Sequence, residues 1–301
     1  MEANPDRLTR ELFVRSALDL ISGETAARLA DGLTPLDVSA GTVLFEKGDA
    51  SGHFYLVSEG KLALEDDGQT PAYFGPRALV GIVDMTLERP RQRRCRAITD
   101  SRLFVADAKL WLDLIDEDPS VGRAAVLRAA CQLYDLSLQL RERATRPAPR
   151  RVALPAPPLP LYEKILVLRE VAFLQNAGIQ ATASLAQVAE ELRLSTGETL
   201  FAAGHAGEAL YIVADGAIEL EDEALHWRTL WGASELVGGA AALCRKLDAC
   251  SAVARSPCVL LKVAEEDYSD QTDEHPELTR AALAYLVGER DALVRRFPEV
   301  A

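Results

Sequence analysis

The stretch GTVLFEKGDASGHFYLVSEGKLAL, which begins at Gly41, returns at Gly197 as GETLFAAGHAGEALYIVADGAIEL. The offset is 156 throughout: Phe45 answers Phe201, Gly48 answers Gly204, Tyr55 answers Tyr211 and Gly60 answers Gly216. One added residue then makes the offset 157, which joins Gly81–Ala97 to Gly238–Ala254, Trp111 to Tyr268, and DEDP at 116 to DEHP at 273. A repeat of this length exceeds a solenoid unit and has the size of a whole domain. The chain is therefore expected to fold as two copies of one domain.

Within each copy, glycine-bearing turns separate short apolar runs. VLF, FYLV and KLAL lie between G-D-A-S-G and S-E-G in the first copy, with G-H-A-G and D-G turns in the second. Strands punctuated at this spacing predict a small barrel or jelly roll. LFVA at 103 and VLLKV at 259 add a late strand to each copy. Helical apolar spacing marks Leu12–Leu29 and Ile165–Leu192 before the strands, and Val121–Leu140 and Leu278–Val294 after them. The two Asp/His-Pro pairs mark the starts of the closing helices. The fold class read from this is α+β: two tandem β-roll (jelly-roll) domains, each flanked by N-terminal and C-terminal helices. The domain limits are 1–145 and 161–301. Between them RPAPRRVALPAPPLP, residues 146–160, is too rich in proline for helix or sheet and reads as an extended, semi-rigid linker.

The rest of the chain bounds the function. Residues 162–301 hold 12 Lys/Arg against 23 Asp/Glu, whereas the first 161 hold 21 against 23. So acidic a second half is poorly suited to duplex DNA, whose binding depends on phosphate neutralisation. The opening MEANPDRLTR carries no signal-peptide pattern, and no apolar run approaches membrane-spanning length. Five cysteines without CxxC or Cys/His ligand spacing fit a reduced cytoplasmic setting and no metal site. The four histidines are scattered, and neither GxSxG, a Walker loop nor GxGxxG is present, so no catalytic residue is expected.

The chemistry concentrates in GIVDMTLERPRQRRCRA, residues 81–97. A glycine turn, a short helical piece and a Pro-Arg entering a strand can surround one phosphate, with backbone N–H groups and one guanidinium converging on it. Here Arg91 supplies the guanidinium and Gly81 the turn. Were Arg94 to point inward, a second positive group would face the pocket. The second copy reads GGAAALCRKLDACSAVA from Gly238, with Asp248 where Arg91 stands and Ser251 where Arg94 stands. That pocket is expected to hold no phosphate ligand and to be filled by its own side chains, such as Leu243 or Leu247.

Helix, glycine-punctuated roll, cassette and closing helix resemble the cyclic-nucleotide-binding domain of catabolite-activator-like regulators and kinase regulatory subunits, here in tandem. The doubled pattern G-x-x-[LI]-F-x-x-G-x-x-x-x-x-[FL]-Y-x-[VI]-x-x-G carries the resemblance. The family's cassette runs closer to F-G-E-x-A-L, a spacer, and P-R-x-A-[TS]-V. Its glutamate holds the ribose hydroxyl and its arginine the cyclic phosphate. By this resemblance the first copy keeps Gly81, Pro90 and Arg91, but Ile82 stands in the glutamate place and Arg94 in the Thr/Ser place. The second copy has Gly239 for the glutamate, Leu247 and Asp248 for Pro-Arg, and Ser251.

Two readings of function stay open. One is a non-enzymatic regulatory or adaptor protein with a protein partner, no nucleic acid or membrane partner, no cofactor, and little or no cyclic nucleotide binding in the second domain. The other is a sensor of a cyclic nucleotide or cyclic dinucleotide through the first domain, signalling by its closing helix. A homo-oligomer is compatible with both. A DNA-binding regulator would need a helix-turn-helix that Leu278–Ala301 is too short to supply beside a closing helix.

Overall fold

The computed structural model describes residues 10, 11, 14, 23–66, 68, 70–140 and 158–297. Residues 146–157 of the proline-rich stretch, and Leu12–Ser22 apart from Val14, lie outside them. The chain divides into two compact units, one made of residues 1–125 with 287–301 and the other of residues 126–286.

After the helical residues 10, 11 and 14, unit 1 continues with helix α1 (Gly23–Asp31), β1 (Thr34–Val38), β2 (Val43–Phe45), β3 (His53–Glu59), β4 (Leu62–Glu65), β5 (Ala72–Phe74) and β6 (Leu79–Val80). The short helix α2 (Ile82–Thr86) follows, then β7 (Arg94–Ala97), β8 (Ser101–Asp107) and α3 (Ala108–Glu117). The closing helix α4 (Pro119–Leu140) starts here and passes into the residues of unit 2. The strands make two sheets, β1-β8-β3-β6 and β2-β7-β4-β5, the strand order of a jelly roll.

Unit 2 repeats this after α5 (Leu161–Glu170), a 3₁₀ turn at Ala172–Leu174 and α6 (Ile179–Val188). Its strands are β9 (Glu190–Leu194), β10 (Thr199–Phe201), β11 (Ala209–Asp215), β12 (Ile218–Asp222), β13 (Trp227–Trp231), β14 (Leu236–Val237), β15 (Ser251–Ala254) and β16 (Cys258–Ala264). Helix α7 (Gly239–Leu243) stands before β15, and α8 (Glu265–Glu274) and α9 (Pro276–Arg296) end the described chain. The sheets are β14-β11-β16-β9 and β10-β15-β12-β13, the same topology advanced by eight strands.

The register agrees as closely. Tyr55 pairs with Val80 and Tyr211 with Val237, and bulges recur at Val57/Glu59 and Val213/Asp215. The inward residues also match. Phe45, Val57, Leu62, Val80, Cys95, Ala97 and Leu103 form one core, and Phe201, Val213, Ile218, Val237, Ala252, Ala254 and Leu260 the other. Both faces of β8 carry buried residues, Ser101 and Leu103 on one and Phe104 and Ala106 on the other, while Arg102 and Asp107 are exposed. Burying each large aliphatic side chain contributes about 1.5–3 kcal/mol.

One expectation needs correction. Ile165–Leu192 is not one helical segment: α5 ends at Glu170, α6 begins only after Gly178, and Glu190–Leu192 belong to β9, paired with β16. The apolar spacing is helical on either side of the break, but Gly178 takes an extended conformation as the N-cap of α6, and the alternation E-L-R-L suits a half-buried strand.

The D-G and S-E-G turns show why glycine is needed there. Gly216 has φ +100°, and a Cβ on it would lie 2.6 Å from both the Pro257 carbonyl oxygen and Cys258 Sγ. Gly216→Ala is expected to destabilise unit 2 by about 2–4 kcal/mol through backbone strain and that clash. Chemical denaturation of the variant against wild type measures it, and an unchanged midpoint would contradict the close approach.

Candidate ligand-binding cassettes

Both cassettes hang from one glycine in the left-handed region. Gly81 (φ 88°) caps α2 and Gly238 (φ 74°) caps α7, each just after a two-residue strand. Farther on, a pair of backbone hydrogen bonds ties each cassette to the turn after β2 or β10. Gly48 N–H donates to Arg91 O and Arg91 N–H donates to Asp49 O, both at 2.8 Å. In unit 2, Gly204 N–H donates to Asp248 O and Asp248 N–H donates to His205 O, again at 2.8 Å. Arg91 and Asp248 thus occupy the same place by backbone geometry as well as by sequence offset.

Arg91 is 2% exposed. Its Nη1 donates to the Gly81 carbonyl and its Nη2 to the His53 carbonyl. The guanidinium carbon lies 4.3 Å from the centre of the Phe45 ring, within cation–π range. Its Nε is buried without a hydrogen-bond partner. Burial lowers the pKa of Arg91, and the nearby Asp84, Tyr55, Cys95 and Asp49 oppose that shift. The side chain is a buried cation held by carbonyl dipoles and a ring face, with no carboxylate hydrogen-bonded to it among the described residues. It also fills the space beside Gly81, where a Cβ would lie 2.7 Å from Arg91 Nη1.

The other cassette residues fall differently. Ile82 begins α2, half-buried, with no polar atom to offer a sugar hydroxyl. Arg94 does not point inward: it is exposed on β7 with Nε 3.3 Å from Glu46 Oε1, while Cys95 and Ala97 take the interior positions of that strand. The pleat fixes this, because Cys95 faces the core and its neighbours must face away. Arg96 pairs with Glu65, Arg89 with Asp84 (2.8 Å) and Asp291, and Arg93 with Asp291 (3.4 Å). Arg91 alone of these five arginines has no ion pair among the described residues. No local pattern points to Asp291, about two hundred positions away, or to the parts played by Phe45 and the His53 carbonyl.

In unit 2 the wall is the same and the chemistry is reversed. Asp248 is 8% exposed, and burial pushes its carboxyl up to about 6, with His205 opposing. Phe201 and Tyr211 lie 3.4 Å from where a Gly238 Cβ would be, so rings occupy the side that Arg91 fills in unit 1. Gly239 is buried, and a Cβ on it would meet Leu236 Cδ2 at 2.5 Å, which leaves little room for a longer side chain. Ser251 Oγ accepts from Ala203 N–H at 3.0 Å. Leu243 is half-buried, but Leu247 is no pocket filler: it is 59% exposed, and its carbonyl accepts from Tyr134 Oη–H. Leu247 pairs its backbone with Ala206 in an isolated antiparallel bridge, and its side chain faces out while that of the next residue, Asp248, is buried.

Among the described residues, no group of three or more His, Cys, Asp or Glu is placed to hold a metal ion. No helix of the described residues is long and apolar enough to cross a membrane. The family profile of the cyclic nucleotide-binding domain matches residues 35–118 and 191–275, the two rolls with their cassettes. Among solved structures, the regulatory subunit of a cAMP-independent protein kinase A from Trypanosoma brucei is similar at 13% identity, covering 99% of this chain and 91% of that one, with a TM-score of 0.37. The regulatory domain of Toxoplasma gondii PKA, crystallised with cAMP, matches at 13% identity over 99% of both chains, with a TM-score of 0.35. A Trypanosoma cruzi counterpart bound to guanosine matches at 14% identity over 91% of this chain and 87% of that one, with a TM-score of 0.37.

The buried carboxyl predicts a pH dependence. Its folded value of about 6 stands above the ordinary 3.8, so between those values the folded chain binds a proton that the unfolded chain has released. Stability therefore falls as pH rises through that window, and the full cost is present above it. Asp248→Asn is expected to stabilise unit 2 at pH 7.5 by on the order of 1–3 kcal/mol and to change little at pH 4. Thermal unfolding of both proteins at the two pH values checks this; a gain that is equal at both would sink it.

Proposed function

The chain belongs to the cyclic nucleotide-binding domain family, and from that premise we propose that it is a non-enzymatic regulatory or adaptor protein whose second domain does not bind cyclic nucleotide. The observation that carries this reading is Asp248, a buried acid in the backbone position that Arg91 holds in the first copy. A cyclic phosphate there would meet a carboxylate where the first copy offers a guanidinium, and at that range like charges repel strongly in a water-poor wall. Gly239 offers no acceptor to a ribose hydroxyl. The working parts are the two domains, 1–145 and 161–301, joined by the linker 146–160. Output passes to a protein partner and needs no cofactor.

A second reading is favoured by one specific observation. Arg91 is buried without a carboxylate, with one nitrogen unpartnered, so an anion arriving there would meet an uncompensated charge. On this reading the first domain senses a phosphate-bearing nucleotide through Gly81, Arg91 and the start of α2, with Arg94 and Ile82 contributing little. Its binding is weak, because the guanidinium already serves two carbonyls and Ile82 cannot accept a hydrogen bond.

Calorimetry on the full chain with cyclic AMP, cyclic GMP and a cyclic dinucleotide separates the two. The expected result is at most one weak, salt-sensitive site per chain, abolished by Arg91→Ala and tightened about tenfold by Ile82→Glu, roughly 1.4 kcal/mol. Two sites per chain, or binding that survives Arg91→Ala and is lost in Asp248→Ala, would overturn the assignment of an empty second cassette. No binding in wild type or Ile82→Glu leaves the adaptor reading alone standing.

A further inference from the structure

Unit 1 contains, beside its roll, the last turns of α9. There a single carboxylate, Asp291, is 8% exposed and shared by three guanidiniums. Arg89 Nη2 donates to its Oδ2, Arg295 Nε donates to the same oxygen at 2.9 Å, and Arg93 Nη2 lies 3.4 Å from Oδ1. Arg290, half-buried on the same helix, has its basicity lowered by burial, with the Asp291 carboxylate opposing and the like charge of Arg93 adding to the shift. Among the described residues Asp84 is the one other carboxylate bonded to the group, at 2.8 Å from Arg89 Nε. Four guanidiniums against two carboxylates give the group a formal net charge of two positive units among the described residues. The side chains of Arg89, Arg93 and Arg295 are 30%, 17% and 33% exposed, so a solute can reach them.

Crowded, half-desolvated cations of one sign are costly unless an anion joins them. We propose that Arg89, Arg93, Arg290 and Arg295 form a binding site for a phosphate dianion, with Asp291 as its resident counter-charge. The guanidinium fork suits phosphate oxygens in bidentate geometry, and a phosphate dianion supplies the two missing negative charges. The site is separate from the interior of the roll: Arg91 is turned to the Gly81 and His53 carbonyls and takes no part. A cyclic phosphodiester carries one charge and is discriminated against, whereas a terminal phosphate monoester, with its second pKa near 6, is dianionic at pH 7.5.

The test is thermal unfolding of the full chain at pH 7.5 in inorganic phosphate, in a nucleoside 5′-monophosphate and in cyclic AMP, each against chloride at equal ionic strength. Phosphate is expected to raise the midpoint of the wild type by on the order of 2–4 °C. Arg93→Gln and Arg290→Gln should each lose more than half of that rise, the remainder being the general salting effect of phosphate. The 5′-monophosphate should raise the midpoint at least as much if a nucleotide is the natural source, and less if the free ion is; either pattern supports the site. Equal rises in wild type and both variants, no rise in wild type, or an equal rise with cyclic AMP would overturn it. Where a variant fails to fold by circular dichroism, phosphorus NMR line broadening on wild type and Asp291→Asn replaces it. Removing the resident charge should tighten phosphate binding several-fold, and weaker binding in Asp291→Asn would equally overturn the site.

Discussion

The structure depends on a pair of main-chain hydrogen bonds that each cassette makes with the turn after the second strand of its roll. In unit 1 they join Arg91 to Gly48 and Asp49, and in unit 2 they join Asp248 to Gly204 and His205. They use only N–H and C=O groups, so they set the path of the chain whatever side chain stands at the junction. Each such bond contributes about 0.5–1.5 kcal/mol net, and a buried amide left without its partner costs more. The glycine at 48 or 204, with φ of +97° or +82°, supplies the backbone conformation that the clasp requires. With the main chain fixed in this way, the side chain at the junction was free to reverse its charge while the roll stayed the same.

The two charges are not handled equally. Arg91 is surrounded by groups that answer a cation: two carbonyl dipoles and the face of Phe45. Asp248 lies near Tyr211, burial pushes its carboxyl up to about 6, and His205 opposes that shift. The rings of Phe201 and Tyr211 are present in the first copy as Phe45 and Tyr55, at the same 6.0 Å separation. In the first copy one of those rings faces the Arg91 guanidinium. Unit 2 retains the rings without the cation, and burial shifts its acid toward the neutral form.

The fold was legible in the sequence because its determinants repeat. The offset of 156 and then 157 carries through the core, the bulges and the strand order, and the added residue falls in the turn between β12 and β13, where length costs little. Inside the site, legibility ended where a side chain's direction is decided by a neighbour. Arg94 and Leu247 stand at positions that a motif reading turns inward, yet Cys95 takes the interior on one side and Asp248 on the other. The break at Gln175–Gly178 lay between two well-patterned helical stretches, and apolar spacing alone bridges such a gap. Asp291 could not be read at all, since no local pattern links an aspartate on the last helix to arginines near residue 90.

That contact has a counterpart whose chemistry differs. Tyr134 stands 157 residues before Asp291. In unit 2 its hydroxyl donates to the Leu247 carbonyl while Lys246 lies over its ring at 5.2 Å and bonds to Asp135. Lys246 in turn occupies the place of Arg89. Each cassette is therefore held at the same point by the same position of a closing helix, by shared guanidinium pairing in unit 1 and by a phenol with one exposed ion pair in unit 2. The exposed pair contributes little and is screened by salt, so unit 2 is held mainly by a neutral hydrogen bond and ring contact. Unit 1 is held by charge in a half-buried setting, where screening is weaker and the entry of a competing anion matters more. The two copies of one domain therefore hold equivalent positions by different physics, shared charge in unit 1 and a phenol hydrogen bond in unit 2.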